Sequence, residues 1–212
     1  MIKREVWYFR GVGPQNTAAC LELMDKAVAA GFRHLVVAST TGDSGAQAAR
    51  RLSGQDVNLV VVGHSVGFKG PNLDEFREEH YQEIVRLGGN VLKATILTHS
   101  LETSLADQFK GSAPTLLIAN TLRRLGQGTK VACEIVMEAV DAGLIPEGEE
   151  VVAVGGTARA GTPWPSSRAP LRNASCSFRS WRSGASPGYE GNGAELSRNR
   201  KSPQGGHLGP PL

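Results

Sequence analysis

The 212-residue chain contains only three cysteines, Cys20, Cys133 and Cys176, with no CxxC pair among them. That spacing offers neither a zinc knuckle nor a disulfide framework, and it makes a reducing cytoplasm the expected setting, with Cys20 and Cys133 packed as small apolar side chains. Long apolar runs are also missing. No stretch approaches the ~20 residues of a membrane-spanning helix, and the charged start MIKREV leads into no signal-peptide core. No HxH, HExxH or clustered carboxylate accompanies the histidines, so no metal is expected. Nothing forms a persuasive nucleophile and base: Ser65 follows His64, but neighbours in sequence need not face each other.

The scarcity deepens after Ala158. Residues 159–212 hold no Val, Ile or Met, yet seven of the 11 prolines and eight of the 26 glycines fall there. Such a segment shows no helical or strand period and buries no core of its own. Charge divides at the same place: residues 1–158 carry 15 Lys+Arg against 18 Asp+Glu, and residues 159–212 carry 8 against 2. The expected organisation is one α/β domain over 1–158 and a disordered, low-complexity basic tail over 159–212.

Within 1–158, apolar runs alternate with helical patterns. Strands are expected at Val6–Phe9, His34–Ser39, Val57–Gly63, Asn90–Thr95 and Glu150–Val154. HLVVAS and VNLVVVGH are nearly continuous in aliphatic residues, as strands buried on both faces are. Helices are expected from the Asn16/Thr17 cap to Gly31, and over Ser44–Leu52, Asn72–Leu87 and Thr129–Ala142. Strand, helix, strand in this order implies a mostly parallel sheet with helices on both faces.

Ligands of such folds bind outside the carboxyl ends of the strands. There the sequence places Ser39-Thr40-Thr41-Gly42-Asp43-Ser44-Gly45 between a strand and a helix start. Hydroxyl donors, glycines and free helix N–H groups suit an oxyanion. The segment carries neither GKS/GKT nor GxGxxG, so it is no P-loop or dinucleotide fingerprint. The same residues also suit a plain capped turn, and the Asp43 carboxylate favours that second reading.

Read together, VVASTTG, VVVGHSVGF, ATILTHSL, IANTLRRLGQGTKVACEI, DAGLIP and GEEVVAVGGTAR resemble the stand-alone proteins related to the C-terminal domain of pyruvate kinase, over residues 5–159. The resemblance implies a three-layer α/β sandwich, a homo-oligomer, and a domain that regulates and does not catalyse. In regulated pyruvate kinases the loop matching VASTTGDSG binds a phosphate of a sugar-bisphosphate effector. Ser39, Thr40, Thr41, Gly42 and Ser44 thereby become phosphate ligands, and flavin mononucleotide (FMN) is among the ligands the family suggests.

Other residues fall near the same edge. His64 and His99 follow strands and can contact a ligand or, in an alternative reading as an enzyme on a phosphorylated or flavin ligand, serve as acid or base. Phe68 can wall a planar ring. Arg123 and Lys130, around Gly126-Gln127-Gly128, can neutralise a second phosphate or a carboxylate, with Thr129 capping the helix that follows. Arg124 reads as a solvated charge. Gly155, Gly156 and Thr157 repeat the strand–glycine–hydroxyl theme as a second rim. The expected function is binding of a phosphorylated small molecule, regulatory in character.

The resemblance stops at Arg159, where relatives are expected to continue GGTxRGADTAxVIK and this chain reads RAGTPWPSSRAP. Moving the frame one base upstream permits Asp-Thr-Val-Ala-Val-Ile-Lys from Thr162 to Arg168. Two positions are constrained: Trp164 must give Val, Leu or Met, and its final G turns Pro165 into Ala. The tail is therefore read as out of frame and not as a nucleic-acid arm.

Overall fold

A computed structural model describes residues 13–95, 101–111, 113–156 and 177–182, the last by backbone alone. The strand expected at Val6–Phe9 lies outside the described residues. β1 (His34–Ala38), β2 (Asn58–Gly63), β3 (Asn90–Lys93) and β4 (Glu150–Gly155) run parallel, and β5 (Ser177–Arg182) closes the sheet antiparallel to β4, in the order β3-β2-β1-β4-β5. β1 is central: Val36 pairs with Val60 on one side and Ala153 on the other.

Alternation along these strands sorts their side chains between two cores. Leu35, Val37, Leu59, Val61 and Val152 face α1 (Thr17–Ala29), α2 (Asp43–Leu52) and α3 (Glu78–Arg86), where Met24, Ala46, Ala49 and Ile84 meet them. Val36, Val60, Val62, Val151 and Ala153 face α6 (Gln127–Asp141) through Ala132, Ile135, Val136 and Ala139. Each buried Val or Leu contributes roughly 1.5–3 kcal/mol relative to exposure. The layers are helix, sheet, helix, as the sequence pattern expects.

Several expectations change. The helix expected from Asn72 begins instead at Glu78. Asn72 takes a left-handed φ of 56°, and the Asp74 carboxylate accepts the Phe76 N–H at 2.9 Å, a local turn that competes with helix. Two helices without a named sequence forecast, α4 (Leu101–Phe109) and α5 (Pro114–Arg123), precede α6. α6 starts at Gln127 behind Gly126, so Thr129 is not its cap; its hydroxyl instead donates to the Leu125 carbonyl at 3.2 Å. Cys133 is a free thiol, but Cys20 is disulfide-bonded, which corrects its reading as a free side chain. β5 falls in the segment without strand period; a ladder needs backbone partners, and the open edge of β4 supplies them.

Candidate functional site

Between the carboxyl ends of β1 and β4 lies a crevice of about 70 Å³. In the strand order, β1 continues to β2 on one side while β4 arrives on the other, which is the switch point where such sheets bind ligands. Asn16, at the cap of α1, and Thr17, its first residue, contribute from one side, α2 contributes Ser44, and Gly155 and Gly156 come from the end of β4. Cys20, Met24 and Val37 form an apolar side. The residue types therefore grade from sulfur and hydrocarbon to hydroxyls and backbone amides.

The turn before α2 is built tightly. Ser39 is buried, its N–H donates to the Val62 carbonyl at 2.9 Å, and its Oγ accepts the Gly45 N–H at 3.3 Å. Ser39 thus satisfies one of the helix's free donors itself. Gly42 has a φ of 88°, and a Cβ there would stand 2.6 Å from His80 Cβ and 2.7 Å from the Phe76 ring. Glycine is required on both counts. Thr40 is half-buried and Thr41 is exposed, with the Thr41 carbonyl accepting the Arg77 N–H at 3.1 Å. The Asp43 carboxylate accepts from Gln47 Nε2 at 2.9 Å on the exposed surface and is not among the groups lining the crevice.

The other sequence candidates separate. Ser44, Gly155 and Gly156 meet in the crevice, whereas Ser39, Thr40, Thr41 and Gly42 form the turn beside it and do not line it. His64 and Phe68 lie beyond the end of β2, their ring centroids 4.3 Å apart, with His64 Nδ1 2.9 Å from Glu75 Oε2. Arg123 is tied to Gln127 at 3.0 Å and to Asn120 at 2.9 Å. Lys130 is buried beside Glu134, to which its ammonium donates, and burial holds its pKa below the usual lysine value despite that partner. His99 and Thr157 lie outside the described residues.

The sequence reading expects no GxSxG elbow, although Gly63-His64-Ser65-Val66-Gly67 spells that pattern. The structure does not make it an elbow. Among the described non-glycine residues only Asn72 and Lys110 have positive φ, so Ser65 lacks the strained turn, and no helix begins between Ser65 and Glu78. Cys20 and Met24 on the crevice wall were also missed, because their apolar spacing on α1 carries no ligand signal. Among the described residues, no group of three or more His, Cys, Asp or Glu could hold a metal ion, and no helix is long and apolar enough to cross a membrane.

No family model matches the chain. Solved structures that resemble it include a pyruvate kinase from Cryptosporidium parvum, at 11% identity and a TM-score of 0.36 over 82% of this chain. Another is the Cryptosporidium parvum pyruvate kinase in complex with ADP, at 11% identity and a TM-score of 0.38, again over 82% of this chain. The chain spans about a quarter of the length of these pyruvate kinases, covering 24% of the first and 25% of the second.

Proposed function

We propose that the protein binds a phosphorylated small molecule, with the phosphate entering the crevice between β1 and β4 and meeting the start of α2. The observation that carries this reading is the meeting of Ser44, Asn16, Thr17 and the Gly155-Gly156 backbone at the switch point of the sheet. Hydroxyls and backbone N–H groups at a helix start favour an anion. A space of about 70 Å³ suits a phosphate head with a short stem. An FMN ligand would place its phosphate there and its ring outside.

Isothermal titration with inorganic phosphate and with sugar phosphates tests the assignment. Thr17→Val combined with Ser44→Ala is expected to weaken binding about tenfold, the equivalent of ~1.4 kcal/mol. Unchanged affinity in that variant sinks the cradle. An enzyme reading draws on one observation, the Glu75 carboxylate against Nδ1 of His64. Turnover lost in His64→Ala, with affinity retained, would favour it.

Two further readings go with this proposal. A homo-oligomer is favoured by exposed apolar side chains on α4 and α5, where Phe109, Leu117 and Ile118 are 71%, 72% and 59% exposed. Sedimentation showing only monomer at micromolar concentration would count against it. Residues 159–212 are read as out of frame; an intact mass from the native source equal to that of the printed chain would end that reading.

A further inference from the structure

The segment Asp74–Arg77, between β2 and α3, packs on the turn that precedes α2. Arg77 donates its N–H to the Thr41 carbonyl at 3.1 Å. The Phe76 ring is 7% exposed and fills the space that a Cβ would need at Gly42, 2.7 Å away, and at Gly63, 2.8 Å away. Asp74 anchors the segment to the end of β3 through Lys93 Nζ at 2.7 Å. Glu75 anchors it to the end of β2 through His64 at 2.9 Å. None of these residues lines the crevice.

Four consecutive residues therefore hold one turn against the ends of two strands. A turn built on a left-handed glycine with exposed hydroxyls has many open conformations, and a ligand that must order it loses affinity to that ordering. We propose that Asp74–Arg77 is a positioning strap that presets the Thr40–Gly42 turn, and through it Ser44 at the crevice, for an anionic ligand, with His64 and Lys93 as its anchors and not as ligand contacts. The strap itself stands on the geometry of the turn; its effect on affinity rests on the phosphate reading above.

Amide hydrogen exchange in the full chain, followed by titration with inorganic phosphate, tests it. Gly45 and Ala46 are the reporters, since their N–H groups bond to Ser39 Oγ and the Gly42 carbonyl within the turn. In the Glu75→Gln plus Lys93→Met double variant, exchange at Gly45, Ala46 and Arg77 is expected to accelerate about tenfold or more while the β1–β2 ladder is unchanged. Phosphate affinity should fall in the same variant. Phe76→Leu is expected to do the same; if it unfolds the chain, the double variant decides, because it alters only side chains at the surface or half-buried. Unchanged reporters, or acceleration shared equally with the ladder, overturns the strap. If wild type binds no phosphate at all, the proposed function fails while the exchange result still decides the strap.

Discussion

Two helices of this protein start behind a glycine of positive φ with hydroxyl residues close by, and their first turns end up in opposite surroundings. α2 follows Ser39-Thr40-Thr41-Gly42, and α6 follows Gly126 and opens Gln127-Gly128-Thr129-Lys130. Both entry glycines have positive φ, 88° at Gly42 and 117° at Gly126. At α2, Thr40 and Thr41 stay near the surface and Ser44 lines a crevice. At α6 the first turn is sealed. Thr129 and Lys130 are each 2% exposed, and a Cβ on Gly155 would lie 2.3 Å from the Gly128 carbonyl oxygen. Glycine and hydroxyl leave a helix start open to an anion only where nothing else of the chain occupies it.

The largest effect should come from unplugging α6. Glu134 and Glu138 are each 5% exposed on the same helix as Lys130. Glu134→Leu takes away the acceptor of a buried ammonium, and removing one partner of such a pair typically costs about 3–5 kcal/mol. Urea denaturation should show a loss in that range. Adding Lys130→Met should recover most of it, since an apolar pair of similar volume replaces a buried ion pair at little cost. A single variant as stable as wild type would mean that the α6 start is not sealed by this pair.

Next in size is the contact that seats α6 on β4. Gly155→Ala forces a methyl against backbone at Gly128 and Ala132, where little can give, and should cost about 2–3 kcal/mol. Thermal unfolding checks it. Ser44→Ala should leave stability within about 0.5 kcal/mol of wild type and act on phosphate affinity instead. Thr129→Val should leave phosphate affinity unchanged. If both starts respond to phosphate alike, the contrast between them is false.

How far the sequence shows this contrast depends on what each residue borrows from distant parts of the chain. The strands at 34–38 and 58–63 were legible because burial on both faces leaves a continuous aliphatic run, and their observed bounds differ from the expected ones by a residue at one end. The start of α3 was not legible. Phe76 has a spacing to Ile84 that suits one helix, but its ring is used to fill the gap over Gly42 and Gly63. Lys130 reads as a ligand cation because sequence gives charge but not burial. The tie between His64 and Glu75, 11 residues apart, needs the fold to bring a loop back across the strand end. In the crevice, Ser44 and Gly155 are 111 positions apart, so each rim could be suspected alone while their meeting could not.

The smallest effect separates the two helix starts by sign of pH dependence. On the α2 side, the hydrogen bond from Lys93, helped by the Phe76 N–H, holds the Asp74 carboxyl below the usual Asp value. A lowered carboxyl pKa stabilises the fold above the unfolded value, near 3.9, and that contribution is lost as pH falls through the folded value. Because Asp74 and Lys93 are partly exposed, at 35% and 29%, the difference should stay under about 1 kcal/mol and shrink in high salt. On the α6 side, burial lowers the Lys130 pKa, so the unfolded chain binds more protons as pH approaches ~10.4 and stability should rise there. The measurement is the urea midpoint against pH for wild type minus Lys93→Met, and for wild type minus the Lys130→Met plus Glu134→Leu pair. Taking differences cancels shared titrations such as Glu83, whose pKa is also lowered by its bond to Arg50. The first difference should diminish toward acid and the second should grow toward alkali. Two flat curves would show that neither helix start depends on its ion pair.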